Sequence, residues 1–145
     1  MRTVYTEIEI NAPAEKVWNI LTDFPNQPKW NPIIASLKGT PRVGGRLLVL
    51  FKFAGIGTIP MPVKVLVFER ARELTWIGRA IFPGILDGRH SFIIEPLGPS
   101  KVKFVHLESF SGIALRFAEK ILDSKLKANY ESMNIALKAL AEKTG

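Results

Sequence analysis

The sequence predicts an α+β fold: a curved antiparallel β-sheet of six or seven strands wrapped around a long C-terminal helix, with one or two short helices after the first strand. Polar and apolar residues alternate over residues 2–10 and in repeated runs between 33 and 110, the period of strands with one buried face. Apolar residues then recur at spacings of three and four from Leu115 to Leu140, the period of a helix with one buried face. A meander this large cannot leave its apolar face wet, and the C-terminal helix is the only element long enough to cover it. One helix about 10 Å wide cannot fill the whole concavity, so bulky side chains or a ligand must fill the rest.

Each element has its own signal. TVYTEIEI, ending at Ile10, alternates as a strand. Pro13 suits the first turn of a helix, and Val17, Ile20, Leu21 and Phe24 continue helical spacing through about Asp23. Pro25, Pro28 and Pro32 confine the next stretch to a turn with room for one short helix. Strands are expected at about 33–39, 46–53, 62–70, 72–80, 87–96 and 101–110, with turn signals at Thr40-Pro41, Gly44-Gly45, Gly55–Pro62 and Gly98-Pro99. Residues 112–143 read as one helix started by Ser111 or Gly112, with Leu115, Ala118, Leu122, Leu126, Tyr130, Met133, Leu137 and Leu140 on one face. FKFAGIGTIPMP (51–62) holds Gly55, Gly57, Pro60 and Pro62, which argue against regular structure. It offers a cap for a cavity mouth or a peripheral membrane contact; the simpler reading, preferred here, is that it extends a strand and its hairpin.

Composition narrows the function. The 145 residues, 47% hydrophobic and 23% charged, suit one domain (1–145) with a substantial core. There is no run of 18 apolar residues and no apolar signal core at the start, so a cytoplasmic location is the default expectation. The absence of cysteine removes disulfides and thiolate chemistry. The net charge of +7 comes from scattered Lys and Arg residues without a basic run or motif, so no nucleic-acid partner is expected. No phosphate-cradling glycine loop and no GxSxG nucleophile turn occurs.

The stretch DGRHSFIIEPLGPSKVKFVHLESFSG holds both histidines and reads as a hairpin. His90, Phe92, Ile94, Phe104, His106, Glu108 and Phe110 share one face by parity; Arg89, Ser91, Glu95, Lys101, Lys103 and Ser109 share the other. Setting Glu95 opposite Lys103 on the solvent side pairs Ile94 with Phe104, Phe92 with His106 and His90 with Glu108, around a Leu97–Ser100 loop. An inward face carrying two imidazoles and a carboxylate is either a self-satisfied core or the wall of a pocket.

In this order the chain resembles the SRPBCC superfamily, with the START-like helix-grip fold, and within it the polyketide cyclase/dehydrase and lipid-transport-like group. INAPAEKVWNILTDF, KWNPII with GTPRVGGRL, the hairpin above, and NYESMNIALKALAE carry the resemblance. It implies a deep, mostly apolar cavity between sheet and C-terminal helix, and no single activity. Asn134 belongs to the last of these motifs and has no role that sequence alone supplies.

The reading that follows is binding or transport of a small hydrophobic molecule: a lipid, a polyketide or another aromatic compound. Leu47, Val49, Phe51 and Trp76 are expected as cavity wall from the middle strands, and Phe92, Phe104 and Phe110 from the hairpin. Tyr130 and Met133 are expected from the helix, and Trp30 near the mouth. His90, His106 and Glu108 would orient a polar group, and are the candidates for proton transfer. A cyclase/dehydratase-type enzyme using the same cavity and a non-catalytic, co-chaperone-like interaction module are the alternatives. Two histidines and a glutamate are also zinc-ligand types, but His90 and His106 are not opposite in this register; neither a metal nor a cofactor is expected. Leu48 and Leu50 face outward beside the apolar inward face of their strand, and a homodimer is one expectation from them. Size-exclusion chromatography with light scattering tests it: a monomer alone at micromolar concentration argues against the dimer.

Overall fold

The computed structural model describes residues 2–53, 57–80, 83–116 and 125–143. The chain runs β1 (Arg2–Ile10), α1 (Ala14–Thr22), a 3-10 turn (Phe24–Asn26) and α2 (Gln27–Trp30). It continues through β2 (Ile34–Gly39), β3 (Arg46–Phe53), β4 (Gly57–Glu69), β5 (Glu73–Ala80), β6 (Leu86–Gly98) and β7 (Lys101–Ser111) to α3 (Lys127–Ala141). The seven strands form one antiparallel sheet in the order β1-β7-β6-β5-β4-β3-β2. Consecutive strands β2 to β7 are a meander, and β1 closes it against β7. This is the expected helix-grip architecture. No helix among the described residues is long and apolar enough to cross a membrane.

The core lies between the concave face of the sheet and the helices. Val4, Ile10, Val49, Leu74, Trp76, Phe92, Ile94 and Phe104 come from the sheet; Leu126, Tyr130, Met133, Leu137 and Ala141 come from the C-terminal region. Trp18 of α1 packs edge-on against Phe68 at 5.0 Å, the core role its position suggests. The β6–β7 ladder has the register read from sequence: Glu95 faces Lys103, Ile94 faces Phe104, Phe92 faces His106 and His90 faces Glu108. Lys103 bridges Glu95 at 3.2 Å on the outer face, as the charge pairing requires.

Three segments differ from expectation. First, β4 begins at Gly57 rather than at 62, and β3 and β4 pair from Arg46↔Lys64 to Phe53↔Gly57. The 51–62 segment therefore extends a strand and its hairpin, the reading preferred from sequence, though the strand starts earlier than expected; residues 54–56 lie outside the described residues. Pro60 and Pro62 have the same parity, and β4 pairs with β5 only from Val63 onward. Their missing N–H groups fall on one side of a stretch with one neighbouring strand, where proline is tolerated.

Second, the turn at 97–100 tightens to Pro99-Ser100, with a register shift between Pro96 and Gly98. Third, neither Ser111 nor Gly112 starts the helix: Ser111 ends β7, and Gly112 has φ 121°. A Cβ at Gly112 would sit 2.4 Å from the Ile85 carbonyl oxygen, and the next two amides donate to Gly84 and Ile85. Chain this close, in this conformation, requires glycine. Helical structure appears at Leu115–Arg116 and from Lys125, where one π-helical step leads into α3; Ala118 and Leu122 lie outside the described residues.

The proline-rich turn is held by buried amides. Gln27 Nε2 donates to the Leu21 carbonyl at 2.7 Å, and Asn31 Nδ2 donates to Gln27 Oε1 at 2.8 Å. Asn31 Oδ1 accepts from the Ile33 amide at 3.0 Å. This linked network shapes the chain rather than presenting polar atoms to a ligand.

Leu137 is fully buried under the sheet. We expect Leu137→Ala to lower the unfolding free energy by about 2–5 kcal/mol, read from the urea midpoint at constant m-value.

Candidate functional site

Six polar residues from four elements, three strands and α3 itself, converge where α3 meets the sheet. Thr6 comes from β1, His90 from β6, His106 and Glu108 from β7, and Tyr130 and Asn134 from α3. Even-numbered residues of β1, β6 and β7 face inward, while Tyr130 and Asn134 are one helical turn apart and present the same face. His90, His106, Thr6 and Asn134 are all buried.

Continuous hydrogen bonding joins them. Thr6 Oγ1 donates to the His106 carbonyl at 2.7 Å, and Asn134 Nδ2 donates to Thr6 Oγ1 at 2.9 Å. Asn134 Oδ1 lies 2.9 Å from His106 Nδ1. The two imidazoles meet through their Nε2 atoms at 2.6 Å. His90 Nδ1 is buried, has no hydrogen-bond partner among the described residues, and lies 3.5 Å from Glu108 Oε1. The same Oε1 accepts the Tyr130 hydroxyl.

Aromatic rings surround this chain. His90 stacks on Phe92 at 4.6 Å and His106 on Tyr130 at 4.4 Å; Trp76 lies 5.5 Å from His90, and Phe51 is parallel to it at 6.3 Å. Phe92 and Phe104 continue the cluster at 6.3 Å. The structure thus brings His90, Phe92, Phe104, His106, Glu108, Tyr130, Trp76 and Phe51 together. Phe110 and Met133 are buried in the same core, and Leu47 and Val49 are buried on β3. Trp30 packs half-buried against the core with its Nε1 unpartnered among the described residues.

Glycine shapes the floor beside Glu108. Gly78 and Gly88 are directly paired across β5 and β6. A Cβ on Gly88 would sit 2.4 Å from Glu108 Oε2, so the carboxyl occupies room that any other residue would take. Separately, a surface cleft of about 370 Å³ opens between α3 and the β3–β4 end, lined by Pro32, Ile33, Lys52, Gly57, Thr58, Asn129 and Ser132. None of the residues chosen from sequence lines it.

Burial sets the electrostatics. It pushes the Glu108 carboxyl up to about 7, against the opposing pull of the Tyr130 hydrogen bond. It lowers His106 to about 3, and holds His90 well below its ordinary range with help from the neighbouring His106. Burial and the adjacent Glu108 both push Tyr130 well above the usual phenol range. The histidines are therefore neutral at pH 7, and Glu108 exchanges a proton near that pH. Two imidazoles bonded to one another at 2.6 Å have no space between them for a shared cation. Among the described residues no group of three or more His, Asp or Glu side chains suits a metal.

Sequence reasoning placed His90, His106 and Glu108 on one face but gave no role to Asn134 and overlooked Thr6. The available signal was polarity at inward positions: Thr6 shares the parity of Val4 and Ile10, and Asn134 follows Tyr130 by one turn.

The sequence profile of the family described as "Polyketide cyclase / dehydrase and lipid transport" matches residues 1–142. The chain belongs to that family. Among solved structures it is similar to the Zhui aromatase/cyclase from Streptomyces sp. R1128, with TM-score 0.79 and 17% identity over 97% of this chain and 93% of that one. It is similar to a START superfamily protein from Mycobacterium smegmatis, with TM-score 0.79 and 19% identity over 97% of each chain. Norcoclaurine synthase from Thalictrum flavum, solved with dopamine and hydroxybenzaldehyde, gives TM-score 0.72 and 14% identity over 99% of this chain and 89% of that one. These likenesses establish the shared fold. No curated protein matches the sequence.

The raised carboxyl gives stability a definite pH dependence. A folded-state pKa above the unfolded 4.5 contributes fully below 4.5 and is lost as pH rises through about 7. The lowered His106 acts oppositely, costing stability as pH falls from 6.5 toward 3. Glu108→Gln copies the neutral acid and removes only the first effect. We expect this variant to gain on the parent by up to about 3 kcal/mol between pH 4.5 and 7, in urea melts across that range.

Proposed function

We propose that this chain binds a small, largely apolar molecule between the sheet and the C-terminal helix, as a binding or transport protein. Residues 1–145 are read as one START-like domain. The ligand would be a lipid, a polyketide or another aromatic compound. The observation that carries the reading is a single polar end, Glu108 with Tyr130 and His90, set into an otherwise aromatic surface. Glu108 is the partly open member of this end: its side chain keeps 15% of its surface exposed while His90 behind it keeps 1%. Burial of apolar ligand surface at roughly 25 cal/mol per Å² supplies most of the affinity, and the polar end sets orientation. The wall assigned to Trp30, Leu47, Val49, Phe51, Trp76, Phe92, Phe104, Phe110, Tyr130 and Met133 belongs to this proposal.

One observation favours a second reading, an enzyme of the cyclase/dehydratase type: Glu108 sits near pH 7, where a carboxyl both gives and takes a proton. His90→Ala and Glu108→Ala separate the two. Loss of turnover in both supports catalysis; weakened ligand affinity alone supports binding.

Native mass spectrometry of the freshly purified protein, followed by denaturing extraction, tests the main proposal. We expect a stoichiometric apolar adduct, or uptake from a panel of fatty acids and polycyclic aromatics. A clean unliganded mass with no uptake overturns it and favours an interaction module with a filled core.

A further inference from the structure

The direction of each hydrogen bond in the polar chain is fixed by elementary valence, starting from Thr6. A carbonyl oxygen only accepts, so the single hydroxyl hydrogen of Thr6 is committed to the His106 carbonyl. Thr6 Oγ1 must then accept from Asn134, which orients that amide: nitrogen toward Thr6, oxygen toward His106. His106 Nδ1 therefore carries a hydrogen, donated to Asn134 Oδ1 at 2.9 Å. In neutral His106, Nε2 is a bare lone pair. At 2.6 Å it accepts from His90 Nε2, which leaves His90 Nδ1 bare as well, facing Glu108 and without a donor. The Tyr130 hydroxyl hydrogen is spent on Glu108 Oε1.

We propose that Thr6 and Asn134 are positioning residues that lock both histidines in one tautomer each, and so make the Glu108 end of the cavity acceptor-only whenever its carboxylate is ionised, selective for ligands that donate a hydroxyl hydrogen. The hydrogens of Thr6, His106, His90 and Tyr130 are all used inside the cluster. What remains toward a ligand is Glu108 Oε2, lying over Gly88, with the His90 lone pair behind Oε1. A phenol or enol hydroxyl supplies the missing donor; its methyl ether does not. The ligand class rests on the binding function proposed above, whereas the tautomers do not.

The test has two arms on the full chain. Long-range ¹⁵N correlation spectra at pH 7, without ligand, should show hydrogen on His106 Nδ1 and His90 Nε2 only. Asn134→Asp, which still accepts from His106 Nδ1, should keep that pattern. Asn134→Leu, which removes the acceptor, should lose it and lower the Glu108 pKa read by ¹³C shifts. The reverse tautomers in the parent, or an unchanged pattern in Asn134→Leu, overturn the positioning role. In the second arm, calorimetry should show 2-naphthol bound at least roughly tenfold more tightly than 2-methoxynaphthalene by the parent, with the gap reduced in Asn134→Leu. Equal affinities overturn the ligand class. If neither compound binds while the tautomers are as stated, the binding function falls and the positioning role stands.

Discussion

The β6–β7 register is the constraint on which the site depends. Because side chains alternate faces along a strand, a slip of β7 by one residue would turn His106 and Glu108 to solvent and away from His90. A slip by two would keep them inside but separate His90 from Glu108 and Phe92 from His106. The observed register is held from both sides: outside by Lys103 against Glu95, inside by the His90 ring stacked on Phe92 and on His106. With that ladder set, α3 has one good docking position. There Tyr130 reaches Glu108 and Asn134 reaches between His106 and Thr6.

Burying six polar side chains in an aromatic core would be costly without pairing, and the cost is almost fully offset by their mutual hydrogen bonds. His90 Nδ1 is the exception. That exception sits 3.5 Å from Glu108, whose carboxyl burial pushes up to about 7. The same geometry that balances the interior concentrates its reactivity at one oxygen pair.

Much of this was legible in the sequence, for reasons that can be assigned. Strand parity and one outer charge pair were enough to read four cross-strand partners in the hairpin, because both signals are local. Helix spacing identified Tyr130 and Met133 as inward-facing for the same reason. The bonds that complete the cluster were not legible, because they join positions far apart in sequence. Asn134 meets His106 across 28 positions and Thr6 across 128. Glu108 was expected to answer His90, yet its bonded partner is Tyr130, since the helix brings a hydroxyl closer than the imidazole across the ladder. At Pro60 and Pro62 the residue signals for a loop were overridden by pairing with β3.

The placement of β1 has a consequence for how the molecule is made. It precedes the other six strands in the sequence, yet its neighbour in the sheet is β7, and Thr6 lies a hundred positions from the carbonyl it bonds. Every β1–β7 contact closes a loop spanning most of the chain, the class of contact that slows folding most. Once made, β1 therefore waits for the whole meander to be synthesised before β7 can pair with it, a state exposed to mispairing with other chains. The orientation of the buried imidazoles, written by Thr6, is consequently among the last features of the native state to be established.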